Sequence, residues 1–506
     1  MLQEADKIRV LHDGSNGTMV NHRIRCRDRQ RMPTLKEKRV LLNEYRDRHE
    51  IAVSLLADAS KAHRRVKISA QEWGYQACRL SEGTIWINCV GTFGMASASY
   101  WWGRVSGGLI RAAYLLNGKQ RPFDCLLFAD DTEFLAANKG ERKSVLRAVI
   151  ALWALGWPFK WTKFRGGHEV EWVGYAVHYA EYKVGISSNR AAWVIEWITK
   201  LLKDGKVAST EMRCGLGRLS FVSQALVYEK PLLGVVYTWV ATICANGIRI
   251  ADIPIAIRLV LHWIRKRLQG DGGRLQVIHS ESQKAALGDW FRTDARVAEN
   301  RAYIGGWELL DSRGRSRTTN TSRWFAAEIS PAEAPWIWAK KGDAQRVIAA
   351  LELLASLLAI MLFDKDRTRG GATTCAITGS TDNRGNSYIV RRMLSTKWPI
   401  MPLLIELSEQ LRVREAELHL HWIPREDNQE ADDLSNLSFK DFNPGNRVHF
   451  TLEELPWIVF HDLIKVTGEM YAGIVQMREE AKARKRPLPN LPKLRGNKRL
   501  KWTSPW

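Results

Sequence analysis

Paired cysteines are missing from this chain. Its seven Cys stand at 26, 78, 89, 125, 214, 244 and 375, with no CxxC spacing among them. That pattern excludes a zinc ribbon and a disulfide framework, and it favours a reducing, intracellular compartment, nucleus or cytoplasm. No signal peptide opens the sequence. Long uncharged apolar runs are scarce too. Residues 231–247 are only marginally long enough to span a bilayer, and residues 347–363 carry Glu352, so both are expected to be buried helices and no membrane partner is expected. Acids are the scarcer charge: 54 Asp and Glu stand against 76 Lys and Arg, a net charge of +22. An excess of that sign selects a polyanionic partner, most simply nucleic acid, and says nothing about fold. At 506 residues, 45% hydrophobic and 26% charged, the chain has the composition of ordinary folded domains, roughly two to four of them. Trp is abundant at 22, and most of these rings are expected in the core.

What is present centres on residues 123–136, FDCLLFADDTEFLA. Leu126 to Ala129 reads as a buried strand and Thr132 to Ala136 as its return, with Asp130 and Asp131 between them. Adjacent carboxylates at the tip of an apolar hairpin need a cation, commonly a divalent metal held by oxygen ligands. A solvated turn is the simpler explanation of such a pair taken alone. Upstream, IAVSLLA (51–57) is a second apolar strand that ends in Asp58, placed to project into a cleft. VGTFGMASASYWWGR (90–104) is a Gly/Ser turn running into a helix rich in small residues. Residues 141–155 have helical periodicity, and 155–177 read as a turn and then strands. Residues 7–21, KIRVLHDGSNGTMVN, read as a strand, a Gly/Asn turn and a second extended piece, and the basic stretch 23–48 reads as partly helical.

Taken in order, these pieces resemble the palm and fingers of reverse transcriptases over residues 7 to about 240. In that resemblance Asp58 is the first palm aspartate, and Asp130 with Asp131 the catalytic pair. TFGMASAS, with Phe93 and Gly94, is the template-positioning motif, and Lys163 is the lysine that follows the palm helix. EWVGY (171–175) looks like the primer-gripping hairpin, and Lys7, Arg9 and Asp13 like the fingers strand that meets the triphosphate. The resemblance implies two Mg²⁺ or Mn²⁺ ions per active site, roughly 3.5–4 Å apart, held by Asp58, Asp130 and Asp131. Lys7 and Arg9 would neutralise the triphosphate. Two departures stand out. His63 occupies the position, five residues after Asp58, where the family usually has Phe or Tyr against the ribose 2′-hydroxyl. Met1 also lies almost on the fingers strand, so truncated fingers, and a chain cut from a longer polyprotein, are expected.

Residues 200–268 are helical by pattern and correspond in the resemblance to a thumb, and QGDGGR (269–274) reads as a linker. Beyond it a second set of acids follows: Asp294 on a strand, Glu352 in an apolar helix, Asp382 at a strand end, and Asp432 beside Asp433 at a helix start. That order, and the ending HWIPREDNQEADDLS, resemble the ribonuclease H domains of retroelements over residues 288 to about 440. The four acids would hold two metals that activate water against an RNA phosphodiester. A Glu inside an apolar helix is seldom buried unless paired or metal-bound, which makes Glu352 the most telling of them. Asp432 is preferred to Asp433 because it follows the family's Ala-Asp step. An integrase-like transposase of the same fold would place its Glu last in the chain, whereas Glu352 is second.

The expected architecture is therefore α+β and α/β multidomain: a right-hand polymerase followed by a ribonuclease H-like mixed sheet. Fingers and palm span 1–199, a helical thumb or connection 200–285, the ribonuclease H-like domain 286–440, and a basic extension 441–506 that ends in a Pro- and Lys/Arg-rich disordered tail. The expected partners are an RNA template, a DNA primer, the RNA–DNA hybrid and dNTPs, in a retroelement enzyme of tyrosine-recombinase (DIRS-like) or pararetrovirus-like lineage. The alternatives are an inactive or domesticated remnant that only binds nucleic acid, and an RNA-copying polymerase, to which an attached ribonuclease H would be of little use.

Overall fold

A computed structural model describes residues 2–4, 7–9, 14–15, 19–118, 122–270, 273–278, 288–310, 315–363 and 375–484. The apolar hairpin and its neighbour form the middle of an antiparallel four-stranded sheet, ordered Asp124–Phe128, Asp131–Ala136, Val53–Asp58, Arg165–Gly167. Side chains alternate across it, as strand geometry requires. Ala57, Phe134 and Ala136 face a core built with helices Ala96–Leu116 and Lys139–Ala154. Leu56, Leu126 and Leu135 face the opposite core, where helix Leu35–Asp47 packs. Thr34 and Glu37 close a capping box on that helix, which sets where it begins.

A second antiparallel sheet runs Leu275–Val277, Lys183–Ile186, Tyr175–His178, Glu169–Trp172. Its Glu169–Trp172 hairpin turns on Val173 (φ 49°) and Gly174 (φ 83°), a two-residue turn with both φ positive, which matches the strands' right-handed twist. Residues 275–277 return to this sheet after 269–274, so that linker joins parts of the first half rather than separating the halves. Helices Ser188–Asp204, Ser209–Ala225, Leu232–Ala245 and Ile255–Gln269 fill the expected helical region.

Near the N-terminus, Lys7–Arg9 pairs with Leu2–Glu4, and the end of the expected second extended piece, Val20 and Asn21, instead opens the short helix Val20–Arg23; residues 10–13 and 16–18 lie outside the described residues. The reason is local: the Asn21 amide donates to Gly94 O (2.7 Å) and accepts from Ala96 N (2.8 Å), so it bridges onto the TFGM turn.

The second half is a five-stranded sheet ordered Trp324–Ile329, Arg301–Glu308, Phe291–Ala298, Cys375–Thr381, Ala416–Trp422. The first three strands are antiparallel and the last two run parallel to the central one. Helix Ile348–Phe363 is buried at every position from Ala350 to Phe363. Together with its leading turn (Ala344–Phe363) it is, among the described residues, the one helix long and apolar enough to cross a membrane, and it lies inside the protein. The C-terminal extension is ordered well past 441. Helix Phe460–Arg484 packs on helices Ile400–Val413, Ile255–Gln269 and Leu232–Ala245 and takes in the first residues of the expected basic tail, from Glu479, while the remainder, 485–506, lies outside the described residues.

One hydrophobic core runs through both halves, from Leu35 to Ile474. Polar contacts cross the same boundary. Tyr228 OH donates to Ala416 O (3.0 Å), Ser408 Oγ donates to Tyr228 O (2.8 Å), and Arg267 pairs with Glu409 and Glu229.

Candidate functional site

Asp58 ends its strand directly opposite Asp131, and Asp130 occupies the tight turn just before Asp131. The turn is held from both sides. Ala129 adopts φ 53°, Trp102 Nε1 donates to its carbonyl (2.7 Å), and Ala59 N donates to Asp130 O (2.9 Å). Asp58 is buried, and Lys163 Nζ pairs with its Oδ2. Partial burial, then Asp130 and Asp58, hold the Asp131 carboxyl above the usual range against the pull of Lys163 and Arg165. Asp58, Asp131, Lys163, Arg165, Trp172 and Val173 line one cleft of 430 Å³, so the hairpin carrying EWVGY forms a wall of the carboxylate site.

His63 sits in the turn Ala62–Arg65, with its ring edge-on to Phe93 (centroids 5.2 Å apart). Burial lowers its pKa and the nearby Asp130 opposes the shift, so the imidazole lies within electrostatic reach of the acid pair. Gly94 has φ 95°, a left-handed conformation that side chains disfavour, and it lets the chain turn into helix Ala96–Leu116. Lys7 and Arg9 lie on the paired strand Lys7–Arg9, and Asp13 lies outside the described residues.

Beneath the first cluster is a buried network that the sequence did not advertise. Lys38 pairs with Glu133, and Glu133 also accepts from Tyr179 OH (2.5 Å) and Ser54 Oγ (2.7 Å). Lys38 and Glu133 are both fully buried, tying helix Leu35–Asp47 to the hairpin strand that starts at Asp131.

The second cluster is assembled by the five-stranded sheet. Asp294 pairs in register with Gly305. A Cβ on Gly305 would stand 2.6 Å from Leu434 Cβ and 2.7 Å from Ser435 N, so only glycine lets helix Gln429–Ser435 lie flush on the strand. That close approach brings Ser435 Oγ to donate to Asp294 Oδ2 (2.6 Å) and sets Asp432 beside it. Burial, with Asp382 and Asp432 adding to it, pushes Asp294 up to about 6. Burial, then Asp382 and Asp294, push Glu352 up to about 8, with Asn383 and Arg425 opposing. Burial also raises Asp382, against Arg425. Arg425 pairs with Asp432, and Asn436 Nδ2 donates to Asp432 Oδ2 (2.8 Å). Asp433 points elsewhere, accepting from Gln429 Nε2 (3.0 Å). Ser435, Asn436, Arg425 and Asn383 were not singled out from sequence. Ser435 closes the quoted ADDLS run, but only the contact with Asp294 gives it meaning.

Among the described residues, no three His, Cys, Asp or Glu side chains stand close enough to hold a metal ion as they are. The chemistry of both sets nonetheless fits a hard divalent cation, since every candidate ligand is a carboxylate oxygen. The second site adds a buried carboxylate oxygen, Glu352 Oε2, with no hydrogen-bond partner.

Neither a protein-family profile nor a curated protein sequence matches the chain. Among solved structures, it is similar to a foamy viral protease-reverse transcriptase dRH in complex with double-stranded DNA, at 13% identity and TM-score 0.44, over 83% of this chain and 64% of that one. It is also similar to a foamy viral protease-reverse transcriptase in complex with an RNA/DNA hybrid, at 12% identity and TM-score 0.36, over 73% of this chain and 44% of that one.

Proposed function

We propose that the chain is an RNA-directed DNA polymerase with ribonuclease H activity. The observation that carries this reading is the presence of two separate carboxylate clusters in one chain. Asp58, Asp130 and Asp131 converge at a strand-pair tip, and Asp294, Glu352, Asp382 and Asp432 converge on a five-stranded mixed sheet. The net charge of +22 fits a nucleic-acid partner: RNA template, DNA primer and their hybrid, with dNTPs as the small substrate.

In this reading Asp58, Asp130 and Asp131 hold Mg²⁺ or Mn²⁺ at the first site, and Asp294, Glu352, Asp382 and Asp432 at the second. Bound there, such ions would supply activation of the primer hydroxyl and stabilisation of the leaving pyrophosphate at one site, and activation of water at the other. Lys163 neutralises Asp58, and Trp172 with Val173 walls the side where a primer end would lie. His63 and Phe93 form an aromatic edge beside Asp130 on which the incoming sugar would rest. At the second site Ser435 orients Asp294, while Arg425 and Asn436 orient Asp432.

The test is primer extension on poly(rA)/oligo(dT) with Mg²⁺, alongside cleavage of an RNA–DNA hybrid. Asp130→Asn is expected to abolish extension and spare cleavage, and Asp382→Asn to do the reverse, each by at least about a hundredfold. Salt-sensitive hybrid binding with neither reaction in the unmodified chain would replace this reading with that of a nucleic-acid-binding remnant.

A further inference from the structure

A cavity of 530 Å³ lies where the two halves meet, and none of the acids of either carboxylate cluster lines it. Its walls come from helix Leu35–Asp47, residues 223–230, helix Arg384–Arg392 and the edge strand Ala416–Trp422. The lining is strongly basic: Arg39, Lys230, Arg391, Arg392, His419 and His421 face it, with Glu417 the acid among them. Glu417 lies 3.5 Å from His419, and its charge also bears on Arg39. Burial, then Arg392 and Arg39, hold the Lys230 ammonium below the usual lysine range, which places three cations within reach of one another. Arg39 donates from Nη2 to Ala225 O (2.8 Å), yet its buried Nε has no hydrogen-bond partner. Arg391 and Arg392 lie over the exposed ring of Tyr388, at 5.5 and 5.3 Å.

Cations gathered at an inter-domain seam repel one another and cost stability unless an anion joins them. Guanidinium forks and an ammonium together match the several acceptor oxygens of a phosphate. The cavity also leads somewhere. Trp422 lines it, and its indole donates to Asp382 O (2.9 Å), so its far end abuts the strand end that bears Asp382.

We propose that this seam is a phosphate-binding site, in which Arg39, Lys230 and Arg392 take the phosphate oxygens of a nucleic-acid strand or of a free polyphosphate. The site stands on its own lining and needs neither reaction proposed above.

The experiment uses the full chain. Fluorescence anisotropy with a short labelled RNA–DNA hybrid is run over a salt series, and tripolyphosphate is titrated by calorimetry. The variant is Lys230→Gln/Arg392→Gln; the control, Arg301→Gln/Arg346→Gln, removes the same charge elsewhere. The seam variant is expected to weaken hybrid binding about tenfold and to reduce the salt slope by about 2, with the control unchanged. Weakening of tripolyphosphate alone would assign the site to a free polyphosphate; weakening of the hybrid, with or without tripolyphosphate, assigns it to the strand. No change for either ligand, or an equal loss in the control, overturns the proposal. Arg392→Gln alone, at an exposed position, repeats the test should the double variant fail to fold. Primer extension and hybrid cleavage by the unmodified chain, measured in parallel, separate failure of the seam from failure of the enzymatic reading.

Discussion

A carboxyl set in an apolar helix must be neutral or neutralised, and Glu352 shows what this costs. Its pKa rises from an ordinary 4.5 to about 8, and that of Asp294 from 3.8 to about 6. Without metal, the folded chain therefore keeps protons that the unfolded chain has released across that range. Stability from these protons is fully present below the unfolded values and is lost as pH rises through the folded ones. In chelator, the unfolding midpoint is expected to fall from about pH 5 to about pH 8.5, and to fall less in Glu352→Gln. Equal slopes in the two proteins would acquit Glu352. The Lys38–Glu133 pair poses the opposite case, a buried charge already neutralised. Lys38→Met alone should cost about 3–5 kcal/mol in urea denaturation, because it strands the Glu133 carboxylate. Adding Glu133→Leu should recover most of that loss, and simple addition of the two losses would argue against the pairing.

At the level of elements, helix starts are settled by what satisfies their first N–H groups. Helix Leu35–Asp47 does this from within its own sequence, through Thr34 and Glu37, and such a start can be read directly. Helix Phe460–Arg484 borrows its cap. Glu406, fully buried on helix Ile400–Val413, accepts from Val459 N (2.8 Å), Phe460 N (2.9 Å) and Ile458 N (3.0 Å). Nothing near residue 460 announces this, so the C-terminal extension read as a basic appendage although its first part is a packed helix. Glu406→Ala leaves these donors unsatisfied and should cost about 3 kcal/mol, seen as a lower unfolding midpoint and earlier proteolysis between 441 and 484. An unchanged midpoint would mean the helix docks by its apolar face alone.

Across the whole molecule, the two halves share one core and a polar seam, so they should not melt apart. Calorimetry is expected to give a single transition whose van't Hoff and calorimetric enthalpies agree, and two resolved transitions would contradict the shared core. The linker-like run 269–274 is settled at the same scale. Gly-rich composition marks a turn, but only pairing of residues 275–277 with Lys183–Ile186 shows which side the chain returns to.

Local pattern alone determined much of this protein. Period-two apolar strands ending in Asp58 and flanking Asp130–Asp131, the apolar helix around Glu352, and the strand end at Asp382 are all consequences of short-range geometry, and all were legible in sequence. Only the tertiary structure decided what those acids meet. Lys38 reaches Glu133 across 95 positions, Ser435 reaches Asp294 across 141, and the basic seam draws on segments from Arg39 to Trp422. Backbone periodicity is written by neighbours a few residues apart, whereas charge pairing and burial depend on which distant surfaces close together, and no local pattern carries that information.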